Sequence, residues 1–261
     1  MTKFAGSRRV QSVDRAFDVL DVLASGPQRI SDIAEATGTS KAAVHHILAT
    51  LEARRIVAQE RDSFRYRLAW GIYELGAKVL RDAGLNTLVA PSLSALAEAV
   101  GETTLFNVED NGSSLVLMRG ESKTSTLVAN NAPGKRVPLH ATASGKVMLA
   151  FKPGVLETLP EDLPRFTPRT IVSRQALAAQ VEHVRQRGYA TSWDEHEVAL
   201  SSLSVPLFDR NADFMGSLTI AAPSGRLNRR SFRTQLQALF SARDEIHALT
   251  GGSPQQQAVG L

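Results

Sequence analysis

The feature that most constrains the fold of this chain is a short amphipathic segment that stops at a glycine and is followed at once by a second one. The first segment begins after Ser31 and ends at Thr37-Gly38, where glycine can adopt the left-handed conformation that closes a helix. Thr39 or Ser40 can cap the helix that follows. The predicted buried face of that helix is formed by Val44, Ile47, Leu48 and Leu51. Two helices separated by so tight a turn are typical of a helix-turn-helix.

A further helix precedes this pair, and a β-hairpin follows it. Ser12 is the predicted N-cap of the first helix, which ends at Ser25-Gly26-Pro27. The apolar positions of this helix are Val13, Ala16, Phe17, Leu20 and Leu23. After Arg55 the apolar period changes to two, and Phe64, Tyr66 and Leu68 alternate with arginines beyond a turn at Arg61-Asp62-Ser63. Three helices and a hairpin predict a winged helix-turn-helix domain.

The length of 261 residues and the distribution of charge predict two domains. The formal net charge is +4, and residues 1–85 alone carry 13 Lys+Arg against 10 Asp+Glu. We predict the winged helix-turn-helix domain over residues 1–69, a linker helix over 70–85 and a disordered tail over 251–261. Residues 86–250 alternate strand and helix periods, which predicts an α/β domain and an α+β fold class for the chain. In that domain the predicted strands are residues 105–109, 114–119, 189–193, 200–208 and 214–221, and the predicted helices are 88–100, 144–151, 174–187 and 228–249.

The absence of cysteine excludes disulfides, thiol catalysis and thiolate metal sites. No stretch of about eighteen consecutive apolar residues occurs, and residues 1–10 contain arginines without an apolar segment behind them. We therefore expect a cytoplasmic chain that needs no cofactor, binds no metal and does not enter a membrane.

The outer side of the helix after Gly38 carries small and polar side chains. If its apolar residues are buried, Lys41, Ala42, His45, His46 and Ala49 lie on or near the solvent side. Ser40 and the helix amino terminus can bind a phosphate. Cationic side chains continue along the hairpin: Arg54, Arg55, Arg61, Arg65 and Arg67. We predict double-stranded DNA as the partner of this surface, and the alternative is a small packing unit whose arginines are only solvated. The two adjacent histidines diverge by about 100° on a helix, so the sequence does not favour a metal pair there.

A second candidate site lies at the strand-to-helix junction from Leu139 to Lys146. Its small residues let the backbone N–H groups of a helix start approach an anion closely. The pattern permits two interpretations: a pocket for a carboxylate, or a tight turn in which Ser144 is only a cap. It lacks the residues of a phosphate-binding loop and of a serine-hydrolase elbow.

The acidic run Trp193-Asp194-Glu195-His196-Glu197 precedes a strand on which Ser202 alternates with leucine. Three carboxylates and an imidazole could bind a metal or act in acid–base catalysis, but such runs are more often solvated loops. We expect instead that one carboxylate and Ser202 hydrogen-bond the polar end of a ligand. Thr219, on a later strand, can add a further contact.

With these residues in view, the chain resembles the IclR family of bacterial transcriptional regulators from Val10 to about Arg226. The matching stretches are Val10-Gln11-Ser12-Val13-Asp14-Arg15-Ala16, the helix-turn-helix from Ile30 to Leu51, Leu139 to Lys146, Gly188-Tyr189-Ala190, Val205-Pro206-Leu207-Phe208-Asp209 and Gly216 to Pro223. The resemblance implies a linker helix that joins the winged helix-turn-helix to a GAF/PAS-like effector-binding domain. It also implies homodimers, or tetramers formed as dimers of dimers, on operator DNA. Family members typically sense a small organic acid or an aromatic breakdown product.

Carried over residue by residue, the resemblance places the backbone contact to an acid at Ala143 and Ser144. It places polar side-chain contacts near Asp194, Ser202 and Thr219, and an apolar wall near Met118 and Leu139. Arg119 neutralises an acidic ligand if its side chain points inward. Ala199 stands where the family usually has a glycine, a departure that could alter the mouth of the pocket.

The sequence therefore predicts a DNA-binding transcriptional regulator. We expect a repressor whose operator affinity is controlled by a small organic acid or an aromatic catabolite bound in the carboxyl-terminal domain. We expect no enzymatic activity, because no nucleophile, base and orienting group occur at a recognisable spacing. The alternative is a small-molecule-binding enzyme whose amino-terminal domain serves only for assembly. Under the leading hypothesis, the ligand acts through the helix at residues 70–80 and changes the spacing of the two recognition helices of a dimer.

Overall fold

The computed structural model of the chain describes residues 10–82, 84–123 and 131–252. Its contacts divide the chain into two compact units, Met1–Ala83 and Gly84–Leu261. Most of the predicted tail, residues 253–261, lies outside the described residues. Within the described ranges, no helix is long and apolar enough to cross a membrane.

The first unit contains three helices, a hairpin and a fourth helix. The helices are α1 (Gln11–Ala24), α2 (Ile30–Thr37), α3 (Lys41–Ala53) and α4 (Trp70–Asp82), and the hairpin strands are β1 (Val57–Gln59) and β2 (Tyr66–Leu68). Residues from every one of these elements except α4 form a single hydrophobic core, which includes Val19, Ile33, Val44, Leu48 and Tyr66. The winged helix-turn-helix prediction is confirmed in its order of elements.

The turn between α2 and α3 forms as the sequence predicts. Gly38 adopts the left-handed conformation, with φ of +62°, and the Ser40 hydroxyl accepts the Ala43 N–H at 3.3 Å as the N-cap of α3. The start of α2 differs from the prediction: it begins at Ile30. The reason is that the Asp32 carboxylate accepts the Arg29 N–H at 3.3 Å and closes the first turn around Ser31.

The prediction for α1 is wrong at its amino terminus. The helix begins at Gln11, its N-cap position is Val10, and Ser12 lies inside the first turn. The predicted apolar face is also divided, because Val13 and Phe17 are 50% and 62% exposed. The residues of α1 that enter the core all lie in its second half, which leaves the apolar residues of the first half at the surface.

The hairpin is shorter than predicted. Gln59 pairs with Tyr66, and the residues between them form the turn. Phe64, predicted as a strand residue, has a φ of +54° and is 69% exposed, because a left-handed backbone cannot continue the strand.

Helix α4 begins directly beside the end of α3. The Gly71 N–H donates to the Arg55 carbonyl at 3.0 Å, and a Cβ at Gly71 would lie 2.5 Å from that carbonyl oxygen. Only glycine permits this approach. Further along, α4 exposes the apolar side chains of Tyr73, Leu75 and Val79.

The second unit combines helices with one six-stranded antiparallel sheet among its described residues. The helices are α5 (Leu85–Leu88), α6 (Ala90–Val100), α7 (Ala143–Phe151), α8 (Arg174–Arg187) and α9 (Phe232–Thr250), with a 3-10 turn at Leu156–Thr158. The strands are β3 (Thr103–Asp110), β4 (Ser113–Gly120), β5 (Arg136–Pro138), β6 (Ala190–Trp193), β7 (Leu200–Phe208) and β8 (Phe214–Pro223), in the spatial order β5-β4-β3-β8-β7-β6.

The two faces of the sheet meet different helices. Thr104 donates a hydrogen bond to the Leu93 carbonyl of α6 at 2.8 Å, so the face of the sheet that carries Thr104 is covered by α6. Side chains alternate between the two faces along a strand. The opposite face carries Ser202, which contacts the amino terminus of α7. Helix α9 packs with α6, and α8 packs against α7.

The sequence predicts the regular elements of this unit well. Helix α8 and strand β7 have their predicted bounds. The short α5 and β5 were not predicted. The last helix starts at Phe232 rather than at residue 228, because Asn228 and Ser231 fold back on the chain: the Asn228 side chain accepts the Arg230 N–H, and the Ser231 hydroxyl donates to the Arg226 carbonyl.

Ala199, between the acidic run and β7, is held in a left-handed conformation with φ of +63°. Its carbonyl accepts the N–H of Ser224, the residue after β8, at 2.9 Å, and this bond holds the conformation. A residue with a Cβ is strained in this region by about 1–2 kcal/mol.

We therefore predict that Ala199→Gly stabilises the protein by up to about 1 kcal/mol, the relief of strain exceeding the added chain entropy of glycine. Urea unfolding measures the change. The matched control is Ala179→Gly on the exposed face of α8, where glycine should destabilise by about 1 kcal/mol. Equal destabilisation by both substitutions would show that Ala199 is not strained.

Candidate functional site

The outer side of α3 is exposed along its whole length. Lys41, Ala42, His45 and His46 are all exposed, whereas Val44 and Leu48 on the opposite side are fully buried. Helical periodicity explains the separation, since residues three and four apart share a face. The α3 surface thus presents short and polar side chains to solvent, as the sequence predicts.

Four exposed arginines, one at the end of α3 and three on the hairpin, have no acidic partner among the described residues. Arg54 is exposed at the end of α3, and Arg61, Arg65 and Arg67 are exposed on the hairpin. Arg65 and Arg67 flank the buried Tyr66, which places them on the outer face. Their guanidinium groups donate only to carbonyls, Arg65 to Pro27 at 3.3 Å and Arg67 to Leu68 at 3.2 Å. No described carboxylate forms an ion pair with these four arginines, so their charge is available to an anion.

In the second unit, the start of α7 is pressed against the chain that leads into it. A Cβ at Gly145 would lie 2.2 Å from the Leu139 carbonyl oxygen, so the junction requires glycine. The N-cap is Thr142, whose hydroxyl accepts the Gly145 N–H at 3.2 Å. Ser144 is therefore not the cap: its hydroxyl lies 3.0 Å from that of Ser114 on β4.

The first-turn N–H groups of α7 are not all satisfied. Ala143 donates to the Ser202 hydroxyl at 3.3 Å, and Lys146 donates to the Thr142 carbonyl at 3.0 Å. With Gly145 bound to the cap, Ser144 carries the first-turn N–H that no described residue accepts. This group and the positive end of the helix dipole favour an anion.

A small cavity, the α7 cavity, lies between this helix start and the sheet. Its volume is about 40 Å³, room for a few waters at about 10–15 Å³ each. Its polar lining residues are Asn107, Asn131, Thr142, Ser144, Ser192, His196, Ser202 and Thr219, and its apolar ones are Leu105, Val116, Val137, Leu200 and Ala221. No Asp, Glu, Lys or Arg is among the described residues that line it.

Asn107 is a cavity residue that the sequence analysis missed. Its side chain is 1% exposed, and its Oδ1 atom has no hydrogen-bond partner among the described residues. An unpaired buried polar group costs about 1–3 kcal/mol, which a polar ligand or water would recover. The available signal was an amide in the middle of the apolar strand Leu105-Phe106-Asn107-Val108.

The residues carried over from the family resemblance divide into two groups. Ser144, Ser202 and Thr219 line the α7 cavity. The Ala143 N–H donates to the hydroxyl of Ser202, a cavity residue. The Ala143 side chain packs in the apolar cluster that also contains Leu139.

The two neighbouring residues of β4 face opposite ways. Met118 pairs with Phe106, whereas Arg119 pairs with Leu105, a cavity residue. Arg119 thus lies on the face of the sheet that borders the α7 cavity, on β4 next to Leu105 of β3. Its side chain is 12% exposed and its Nη2 atom lies 3.1 Å from Glu121. The Nε atom has no hydrogen-bond acceptor among the described residues.

The side chains of the acidic run do not come together at one site. Asp194 has a φ of +56°, which turns its carboxylate away from the cavity to Arg169 at 2.9 Å and to the Ser224 hydroxyl. Glu195 binds the ammonium group of Lys146 at 2.6 and 2.7 Å. Glu197 is exposed, and only His196 lines the cavity. Among the described residues, no three His, Asp or Glu side chains are grouped as metal ligands.

His196 is therefore the titratable side chain of the described cavity lining. Burial lowers its pKa, an effect that nearby Glu197 opposes, and its ring contacts Phe166 with centroids 5.2 Å apart. Burial thus favours the uncharged form of the imidazole, and the other polar residues of the described lining are hydroxyls and amides.

Comparison with known proteins places these features in a family. The family model described as the bacterial transcriptional regulator IclR C-terminal domain matches residues 77–248, and the IclR helix-turn-helix domain model matches residues 12–61. The HTH-type transcriptional regulator XynR of Escherichia coli strain K12 is 30% identical over 236 residues, which are 87% of this chain and 93% of that protein. The HTH-type transcriptional repressor AllR of Salmonella typhi is 26% identical over 250 residues, covering 94% and 91% of the two chains.

Solved structures share the fold. The Thermotoga maritima IclR structure has a TM-score of 0.79 at 25% identity and covers 94% of this chain and 100% of that chain. An IclR homologue from Microbacterium hydrocarbonoxydans, solved as a complex with 4-hydroxybenzoate, has a TM-score of 0.81 at 22% identity and covers 93% and 100%.

We predict that the stability of the protein falls as the pH drops from 7.5 to 5.5. Burial lowers the pKa values of His140, His196 and His247 in the folded state. The unfolded chain therefore binds more protons below its histidine pKa of about 6.5, and each histidine contributes a slope of up to about 1.4 kcal/mol per pH unit. Urea unfolding at several pH values measures it.

The variant His196→Gln should reduce this dependence without abolishing it, because His140 and His247 remain. A free energy of unfolding that is constant between pH 7.5 and 5.5 would contradict the prediction.

Proposed function

Because the chain belongs to the IclR family of DNA-binding transcriptional regulators, we propose that it is a cytoplasmic repressor whose operator affinity is set by a small hydroxy or oxo acid in the α7 cavity. The observation that carries the proposal is the helix start of α7, where the Ser144 N–H has no acceptor among the described residues and lies at a cavity lined by hydroxyls, amides and an imidazole.

The operator-binding surface is proposed to be the exposed side of α3 with the arginines around it. Lys41, His45 and His46 would enter the major groove, with Ser40 and Ala42 at the amino-terminal end of the same surface. Arg54, Arg61, Arg65 and Arg67 would hold phosphates. Their lack of acidic partners among the described residues supports this role, because a paired guanidinium would first have to give up its carboxylate.

The cavity supports a small acid rather than an aromatic one. Its volume of about 40 Å³ is little for a ring, and most of its polar lining groups are hydroxyls and amides that suit a hydroxylated ligand. A homologue of the same fold is described with 4-hydroxybenzoate; in this chain Asn107, Ser144 and Ser202 favour a smaller, more polar acid. Arg119, on the cavity face but beyond the lining, would add long-range attraction for the carboxylate.

We infer a homodimer from the first unit. Val13 and Phe17 on α1 and Tyr73, Leu75 and Val79 on α4 are each at least half exposed. Exposed apolar side chains four residues apart on one helix, as Val13 and Phe17 on α1 and Leu75 and Val79 on α4, are typical of a protein interface. A second copy of the chain would cover them. The covalent connection to the second unit runs through α4, so a shift of the ligand-binding units would reach the paired α3 helices by that route.

An enzyme is the less favoured alternative. Its candidate acid–base groups, Asp194 and Glu195, are bound to Arg169 and Lys146, and neither lines the α7 cavity. Turnover of a bound acid that is lost in Asp194→Asn would favour the enzyme.

The proposal is tested first by binding to the DNA upstream of its own gene. Electrophoretic mobility shifts at physiological salt should show a preference for that DNA over a scrambled sequence of the same length. Equal affinity for both would overturn the proposal.

We predict that Arg65→Ala and His45→Ala weaken DNA binding in different ways. Arg65→Ala should lower affinity on all sequences and reduce the slope of log K against log salt by about 1, because it removes one phosphate contact. His45→Ala should change which operator bases are preferred, with little effect on the slope. Fluorescence anisotropy over a salt series measures both, and Arg233→Ala in the second unit is the control. The reverse pattern would show that helix and wing have been assigned the wrong roles.

We predict that Ser202→Ala impairs acid binding and that Ser201→Ala does not. The two residues are adjacent on β7, but Ser202 lines the α7 cavity, whereas the Ser201 hydroxyl bonds to Ser224 on the other face at 2.8 Å. A thermal-shift screen of glycolate, glycerate, pyruvate and glyoxylate identifies the acid, because ligand binding to the native state raises the unfolding midpoint. Equal shifts in both variants would mean that the acid does not bind in the α7 cavity.

A further inference from the structure

A groove on the other face of the sheet carries a second group of polar and aromatic side chains. We call it the β6 groove and define it by Arg169, Arg187, Tyr189, Trp193, Arg229 and Phe232. It consists of two adjoining recesses of about 290 and 240 Å³, and Trp193 and Arg229 line both of them.

Strand alternation separates this groove from the α7 cavity. Ser192 and Ser202 pair with each other on β6 and β7, and both line the α7 cavity. The next pair, Trp193 and Ser201, points to the opposite face and lines the groove. A ligand in the groove would therefore lie across the sheet from a ligand in the cavity.

The groove has more positive than negative charge among its described lining residues. Its carboxylate, Asp194, already accepts from Arg169 at 2.9 Å and from the Ser224 hydroxyl. Arg187 donates through Nε to the Tyr189 carbonyl at 2.8 Å, and its guanidinium lies 4.4 Å from the centre of the Tyr189 ring. Arg229 is exposed and forms no ion pair or hydrogen bond with any described residue, so its planar guanidinium is free to bind an anion.

The floor of the groove is aromatic. The Trp193 and Phe232 rings are 6.1 Å apart between centroids, and the Tyr189 and Phe232 rings are 5.7 Å apart. The rings are tilted by 57° and 54° to one another, so they form an angled aromatic wall. Such a wall beside a free guanidinium matches a ligand that has one aromatic ring and a carboxylate at one end. Each recess is near the lower end of ligand-pocket volumes, about 300 Å³, which suits a single ring.

We propose that the β6 groove is a second ligand site that binds an aromatic carboxylate, with the carboxylate on Arg229 and the ring against Trp193 and Phe232. This site is independent of the acid in the α7 cavity. It would give the protein a place for an aromatic acid that the small, polar cavity does not offer.

The chain contains two tryptophans, Trp70 and Trp193, so Trp70→Phe leaves Trp193, which lines the groove, as the single tryptophan. Benzoate is titrated into this full-length variant while tryptophan emission is followed, and acetate serves as the carboxylate without a ring. We expect a saturable change with benzoate and none with acetate. No saturable change with benzoate, or an equal one with acetate, would overturn the proposal.

Three further variants in the same background locate the ligand. Arg229→Gln should weaken benzoate binding at least about tenfold, because it removes a charge-assisted contact. Arg230→Gln is the matched control, since Arg230 is exposed next to Arg229 but does not line the groove. Ser202→Ala alters the α7 cavity and should leave benzoate affinity unchanged. Equal effects of the two arginine variants, or loss of binding in Ser202→Ala with retention in Arg229→Gln, would place benzoate elsewhere and overturn the proposal, while the proposed control of DNA binding would stand.

Discussion

The buried ion pair between Lys146 and Glu195 is the contact on which the arrangement of the second unit around α7 depends. The Lys146 side chain is 1% exposed, and its ammonium group contacts both Glu195 oxygens and the Thr191 carbonyl at 3.2 Å. Burial lowers the pKa of Lys146, and the carboxylate of Glu195 opposes that effect. Removing one member of such a pair costs about 3–5 kcal/mol, because the other charge is left buried alone. The pair thereby fixes α7 to the loop that follows β6.

Fixing α7 in this way determines what the cavity can bind. Glu195 is held by Lys146 and Asp194 by Arg169, so neither carboxylate repels an anion from inside the cavity. The polar groups of its lining include the Ser144 N–H, the hydroxyls of Ser202 and Thr219 and the amide of Asn107. These groups are held in place before a ligand arrives, which lowers the entropy cost of binding it.

The sequence could predict the parts of the structure in which periodicity decides burial. The bounds of α8 and β7 and the buried face of α3 follow from apolar spacing over eight or more residues. The other features depend on interactions that apolar spacing does not reveal. Thr142 and Ser144 are both plausible caps two positions apart, and Ser144 instead meets Ser114 from a distant strand. Asp194 is turned to the other face by a left-handed backbone that no pattern marks. The face of the sheet on which Arg119 lies depends on a register shift between Phe106 and Asn107. The pairing of the two strands sets this shift, and the sequence of β4 alone does not reveal it.

Control of DNA binding by the α7 cavity is tested most directly by the dissociation constant of the full-length protein for its own operator, measured with and without a saturating acid from the thermal-shift screen. If the cavity and the α3 surface are coupled, the two constants should differ about 5- to 150-fold, and bound operator should weaken acid binding by the same factor. Identical constants with the cavity occupied and empty would contradict the coupling.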